Sequence, residues 1–426
     1  MISADIKKLN QEHPEYMHAV EKHYRWNFIA LVLDSSIFMF SIAMLSTETI
    51  LPYFVSHLSD KSFWIGAIPA LFFLGLFAPQ LFGAYLVDAK PKKKKAIFWI
   101  AVSERIGILA IALVAQNLNL LSDNMALFLF MLSFTVFSIT NGLIAPAYAD
   151  FISKNISKNR GIFYGTKEFV SGIIGLVASL TATYLLNTYA FPKNMQILFW
   201  IGFATSFISP FIIASFKETP YPIEKTIEPL ISFLKRIPTI VKKHVEFQKY
   251  LITRSIFGLG LLANAFFAIY AYNKFEMSEG TLGIFTMIIL LTKSVFGFIW
   301  GYIGDRFGYK TTYSCAAMIL ILMGVLAITA PGVGVFYIIA VGIGAVMSII
   351  MTSDPNMVFE LAPPEETSRF VGIANTIIAP VMTFAPLIGG AIVDNYSYQA
   401  LFISELVISV LAFLIVLKFM PNPREE

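Results

Sequence analysis

The 426-residue chain contains a single cysteine, Cys315, so it cannot form an internal disulfide. Its five histidines (His13, His18, His23, His57 and His244) all lie outside the long apolar runs. The first three recur every five residues on a polar tail, a step that does not stack them on one helical face. They form no metal-ligand set, and neither a metal nor another cofactor is expected. There is no nucleotide-binding loop and no nucleophile motif, which argues against an enzyme and against an ATP-driven pump. No nucleic-acid partner is expected. Charge is scarce: Asp, Glu, Lys and Arg make up 14% of the chain, whereas a soluble domain carries roughly 25%. A water-soluble chain of this length would need a charged surface that this sequence does not have.

What the sequence does have is hydrophobicity, 57% of all residues, with 40 Phe. Crossing the hydrocarbon core of a bilayer takes about 20 apolar residues as a helix. Runs of that kind lie near 27–53, 64–87, 96–115, 126–148, 162–187 and 195–216, and again near 249–272, 281–304, 312–330, 334–357, 370–393 and 399–419. They read as helices, because backbone groups in lipid need partners within their own segment. Barrel strands would be shorter and would alternate apolar with polar. The first 25 residues are polar, so no cleavable signal is expected and the first apolar run is expected to remain as a span.

Lys and Arg cluster in the N-tail and in every second connection: Lys7, Lys8, Lys22, Arg25, Lys90, Lys92 to Lys95, Lys154, Lys158, Arg160, Arg306, Lys310 and Arg369. The alternate connections hold only Lys61, Lys193 and Lys274. This bias predicts a cytoplasmic-membrane protein with both termini in the cytoplasm. The expected organisation is an N-tail (1–26), six helices (27–216), a linker (217–248), six more helices (249–420) and a C-tail (421–426). In the linker, Ile227, Leu230, Ile231, Leu234, Ile237, Val241 and Val245 recur at helical spacing, with Lys235, Arg236, Lys242 and Lys243 mostly off that stripe. This predicts an amphipathic helix on the membrane surface, bent at Pro238.

The arrangement six, linker, six suggests an internal repeat. Gly301-Tyr-Ile-Gly-Asp305-Arg306-Phe-Gly308-Tyr-Lys310 in the second half has a weaker counterpart around Ala84, Asp88 and Lys90 in the first. Likewise Pro146 and Arg160 recur as Pro355 and Arg369. The stretch from Gly301 to Lys310 resembles the Gly-x-x-x-Asp-Arg-x-Gly-x-Lys loop motif of the major facilitator superfamily. Leu51-Pro52, Pro69-Ala70-Leu71, Pro79-Gln80 and Glu104-Arg105 resemble a bacterial branch of it. The resemblance implies an all-α membrane protein with twelve transmembrane helices in two pseudo-symmetric six-helix bundles. A central cavity would open alternately to either side. It also implies a monomer, and a gate role for Asp305, Arg306 and Gly308, with Gly301, Lys310, Asp88, Arg160 and Arg369 beside them. The fifth span lacks the Gly-Pro-x-x-Gly-Gly run of the family's drug/proton antiporters, which weighs against multidrug efflux; Ala385-Pro386-Leu-Ile-Gly389-Gly390 stands in the eleventh span instead.

Ionisable groups inside spans cost roughly 2.5–3.5 kcal/mol each on insertion scales and mark function or pairing. Asp34 and Glu48 in the first span differ by about 40° around a continuous helix and by about 21 Å along it. They would share a cavity face. Either is a candidate proton carrier, Asp34 the better one, since a carboxyl group out of water can load and release a proton near neutral pH. Lys293, near the middle of its span, is the leading candidate to meet substrate, with Arg254, Asn264, Asn141 and Asn375 as further candidates. Arg254 lies close enough to a span end to reach the interface. Glu104, Arg105, Lys167, Glu168 and Asp354 read as a network of buried charge. Glu104 and Arg105 point about 100° apart and are expected to find separate partners. Glu405, in the last span, has no account at this level.

The expected function is secondary transport of a small amphipathic or weakly anionic organic substrate, coupled to protons. The rivals are multidrug efflux, a lipid or lysolipid flippase with an opening lined by Phe and Met, and a membrane sensor. Tails as short as these weigh against the sensor.

Overall fold

The computed structural model describes residues 13–80, 82–83, 92–222, 230–363 and 367–422. Its α-helices, in chain order, are α1 (Pro14–Met44), α2 (Ile50–Ser56), α3 (Ser62–Phe77), α4 (Lys94–Gln116), α5 (Asp123–Asn155), α6 (Arg160–Thr188), α7 (Lys193–Ser206) and α8 (Ser209–Ser215). After the linker helix α9 (Leu230–Lys243) come α10 (Val245–Leu259), α11 (Phe266–Lys274), α12 (Gly280–Phe307), α13 (Tyr309–Thr329), α14 (Gly334–Leu361), α15 (Thr367–Asn395) and α16 (Tyr398–Phe419).

Ten of these segments, counting Lys193–Ser215 as one, are long and apolar enough to cross a membrane. Helix α3 and the broken pair α10–α11 complete twelve spans, all helical, as the apolar runs predict. The first, sixth and seventh spans are not single helices; the sixth is interrupted at residues 207–208. The first stops at Met44 and restarts at Ile50. Pro52 explains the stop, because its ring would collide with the carbonyl of Glu48 in a continuous helix, while a helix beginning at Ile50 carries it in the first turn. The seventh breaks between Leu259 and Phe266, just after the flexible pair Gly258 and Gly260.

Within each half the helices pack in matching ways: α3 lies on α5 and α4 on α7, as α12 lies on α14 and α13 on α16, and α1 lies on α6 as α10 lies on α15. The halves meet along two seams, α3 with α15 and α6 with α12. At the end of the bundle away from the termini both seams are shut. Asp394 on α15 accepts from the backbone N–H groups of Ser62 and Phe63, at 2.6 and 2.9 Å, and so caps the N-terminus of α3 from the other half. Asn187 accepts from the N–H of Gly280 at 3.1 Å. A Cβ at Gly283 would collide with the Thr183 backbone, so only glycine permits that approach.

Toward the termini the seams differ. The α3–α15 seam holds, with Asn375 donating to Gln80 at 2.7 Å. The α6–α12 seam parts. A Cβ at Gly172 would reach only Ser294, at 3.9 Å, and one at Gly165 would meet nothing. Phe169 and Phe298, next along the seam, are 70% and 82% exposed.

Helix α9 carries Pro238 within it. Ile237, Ile240 and Val241 pack inward while Ile231 and Leu234 stay exposed. Ile227 lies outside the described residues.

Candidate functional site

Between the halves lies a cavity of about 100 Å³. Its wall is apolar over most of its extent, with Phe72, Phe73, Phe137, Ile289, Met347 and Met351 among the lining side chains. Two charged groups enter it: Glu48 from the break between α1 and α2, and Lys293 from the middle of α12. Glu48 also lines a small neighbouring cavity of about 20 Å³ with Asn264 and Met347, so it stands where the two spaces meet. The break puts it there by turning residues 45–49 off the helical path, which takes Glu48 out of the common face with Asp34 that a continuous helix would give.

Glu48 has one hydrogen-bond partner among the described residues, the Ser46 hydroxyl at 3.5 Å. Lys293 has no hydrogen bond or ion pair among them; the other charged group of the cavity, Glu48, enters it without pairing with Lys293. Asn264, in the α10–α11 break, donates to Met347 Sδ at 3.5 Å, and its Oδ1 has no partner among the described residues. Thr286, which closes the cavity beside Thr49, hydrogen-bonds that hydroxyl at 2.5 Å across the two halves.

Asp34 lies elsewhere. It is buried inside the N-terminal half, accepting from Tyr148 Oη at 2.6 Å and from Ser209 Oγ at 2.5 Å. Ser209 in turn accepts from Arg105 Nη2 at 2.8 Å. Arg105 pairs directly with Glu104, contrary to the expectation of separate partners. The 100° between their Cα–Cβ directions is overcome by the length of the Arg side chain, whose guanidinium folds back to its neighbour while Nε donates to Ser206 O at 3.1 Å. Asn141 completes the set by donating to Glu104 Oε1 at 2.9 Å. Asn141 and Asn375 are therefore both engaged with protein groups.

In the C-terminal half Arg254 does not reach the interface. It is 0% exposed, and its Nε donates to both carboxylate oxygens of Asp354, at 3.0 and 2.8 Å. Lys167 and Glu168 pair with each other at 3.1 Å near the parted end of α6.

The loop-motif residues gather between α12 and α13. Gly308 has φ 85°, a conformation that favours glycine, and it makes the turn between the two helices. Asp305 accepts from Tyr309 Oη at 2.8 Å, and Arg306 donates to Tyr302 Oη at 2.9 Å. A Cβ at Gly301 would meet only Thr352, at 3.8 Å. Lys310 and Arg369 lie in the first turns of α13 and α15. Arg160 opens α6, but its side chain lies outside the described residues, as do Asp88 and Lys90. The first half carries instead an ion-pair cluster that sequence reasoning missed: Asp150 pairs with Lys93 and, at 2.9 Å, with Lys154. Glu218 accepts from the N–H groups of Lys93 and Lys94, at 2.7 and 2.9 Å, fixing the start of the linker to that half. Lys154 four residues after Asp150 on one helix was the available signal.

Residues 250–426 match the family model described as Major Facilitator Superfamily. The riboflavin transporter RibZ of Clostridioides difficile is 22% identical over 150 residues, 35% of this chain and 32% of that protein. The MFS antiporter QDR3 of Candida albicans is 20% identical over 152 residues, 35% of this chain and 22% of that protein. The matches thus span a third or less of these relatives' lengths. Among solved structures, a variant of the nucleoside transporter NupG superposes with a TM-score of 0.74 at 13% identity, covering 92% of this chain and 100% of that one. The D-xylose-proton symporter gives 0.70 at 14% identity, covering 95% and 99%. At these identities the likeness is one of fold.

Proposed function

Because residues 250–426 match the Major Facilitator Superfamily model and the fold is shared with solved transporters over 92% of the chain, we propose that the chain is a member of that superfamily and a secondary transporter of small amphipathic organic anions. The observation that carries this reading is the unpaired Lys293 in the cavity between the halves. A cation at mid-span is costly without a counter-charge. A carboxylate or phosphate on the substrate supplies one, while the Phe, Ile and Met side chains take the apolar part. Glu48, at the junction of the two cavities, is the proton carrier in this reading, and Asp34 is a structural group. Loading Glu48 with a proton removes the negative charge that would repel an incoming anion, which couples the two movements.

The shut seams at one end and the parted α6–α12 seam at the other support alternating access, with this form open toward the termini. The Lys and Arg bias of the loops assigns that side to the cytoplasm. The test is uptake of an organic-acid library into proteoliposomes with and without an imposed proton gradient, read by mass spectrometry. Accumulation of an amphipathic acid that needs the gradient and is lost in Lys293→Ala is expected. Accumulation indifferent to both would overturn the reading.

One observation favours a second reading, a lipid or lysolipid flippase: Phe169, Phe298 and Met351 are exposed near the parted seam. An anionic lipid could enter there with its headgroup toward Lys293. Translocation of a fluorescent anionic lysolipid in the same vesicles distinguishes the two.

A further inference from the structure

Transport through the central cavity gives no role to Glu405. Helix α16 packs against α10 and α13, away from the seams between the halves. Glu405 points into that packing and is 0% exposed. Neither of its carboxyl oxygens has a hydrogen-bond partner among the described residues, and no charged side chain among them acts on it. Ser409, one turn further on, is equally buried, and its hydroxyl also lacks a partner among the described residues. Among the described residues Ser157 and Ser353 share this lack of a partner, but many helical hydroxyls do not. Ser255, Thr376, Thr383 and Ser404 each donate to the carbonyl four residues back, the usual recourse of a helical hydroxyl in an apolar setting.

Two contacts fix what these groups face. A Cβ at Gly260 would lie 3.3 Å from Ser409 Oγ, and Phe402 stacks on Phe267 with ring centroids 5.2 Å apart. Glu405, between Phe402 and Ser409, is therefore level with the break between α10 and α11. There the N–H groups of Gly260, Leu261, Asn264 and Phe266 fold into three-residue turns, accepted by Phe257, Gly258, Leu261 and Ala263. Such unwound backbone takes carbonyl oxygens out of the regular helical ladder and makes them available as ligands.

A carboxyl group this deep must be neutralised by a proton or by a cation. Two carboxyl oxygens and a hydroxyl oxygen beside an unwound backbone make a hard, oxygen-only set with one negative charge, which suits a small monovalent cation. We propose that Glu405 and Ser409, with backbone carbonyl oxygens of the α10–α11 break, form a binding site for Na⁺. The opposite face of that break carries Asn264 and Ala265 into the cavity wall. An ion bound here holds the wall in place without touching the substrate. The proposal stands whether or not the transport reading does, because it concerns ion binding alone.

The test is thermal unfolding of the purified full-length protein in detergent, in NaCl against choline chloride at equal ionic strength, at two pH values. A saturable rise in melting temperature with Na⁺ is expected. Glu405→Gln, which keeps the shape and removes the charge, should lose that rise, and Ser409→Ala should shift its midpoint to higher Na⁺. Identical melting in Na⁺ and choline would overturn the proposal. So would a Na⁺ response that survives in Glu405→Gln. A wild type that responds to pH but not to Na⁺, and that Glu405→Gln mimics at low pH, would make Glu405 a proton site and overturn it too. Should Glu405→Gln fail to fold, an unchanged Na⁺ midpoint in Ser409→Ala would contradict the proposal.

Discussion

In the N-terminal half Asp34, Glu104 and Arg105 are all satisfied, through Tyr148, Ser209, Asn141 and one another. In the C-terminal half Arg254 and Asp354 hold each other, while Lys293 and Glu405 meet no partner among the described residues. A saturated network strengthens the bundle it joins and has nothing left to offer a ligand. An unsatisfied charge is retained at a cost, and that cost calls for a ligand, an ion or a proton. The difference suggests that the N-terminal half serves mainly as a platform, to which the break at residues 45–49 adds Glu48, and that the C-terminal half supplies most of the ligand chemistry.

The largest effect that could break this comparison is on stability. Arg105→Ala strands Glu104 inside the bundle, and Arg254→Ala strands Asp354. Each should cost about 3–5 kcal/mol, as breaking a buried pair does, measured by thermal or denaturant unfolding in detergent. If Arg105→Ala unfolds like the parent, the network is not the platform described. Lys293→Ala should behave in the opposite way. With no protein partner to lose and an unpaired charge removed, it should unfold no more easily than the parent and, by the cost of that charge, less easily. Its affinity for an anionic ligand should drop about 10- to 150-fold, as loss of a charged hydrogen bond worth about 1.5–3 kcal/mol implies. Calorimetry or melt-shift titration reads both quantities.

Gly283→Leu sharpens the comparison between the two ends of the α6–α12 seam. The added side chain meets the Thr183 backbone, and overpacking of about 1–3 kcal/mol should shift the molecule toward a form open at the end away from the termini. Distances between spin labels on the two halves would show it. The smallest effect is expected for Asn375→Ala, which removes a polar bond to Gln80 across the α3–α15 seam. In a bilayer setting such a bond averages about 0.6 kcal/mol, so melting should barely change.

Much of this fold could be read in the sequence, because lipid imposes one rule on every span: about 20 apolar residues in a helix. The loop from Gly301 to Lys310 was legible through its resemblance to a family motif, and the turn at Gly308, with φ 85°, gives a physical reason for that glycine. What failed were inferences that treated a helix as continuous or a side chain as short. Pro52 marked the break that separates Glu48 from Asp34, yet their angular relation was worked out on an unbroken helix. Arg105 was long enough to fold back on Glu104. Arg254 read as able to reach the interface because its partner, Asp354, is 100 residues away on another helix. Single-span geometry cannot supply such a pairing.

The central claim is that Lys293 meets the negative charge of the ligand in a mostly apolar cavity. It is tested most directly by melting the purified protein with 2-naphthoate and with 2-naphthylmethylamine, which share a ring system and carry opposite charges. The account predicts that naphthoate stabilises the parent protein, that the amine does not, and that the naphthoate effect disappears in Lys293→Ala. Equal stabilisation by both compounds, or a naphthoate effect that survives in Lys293→Ala, would contradict it.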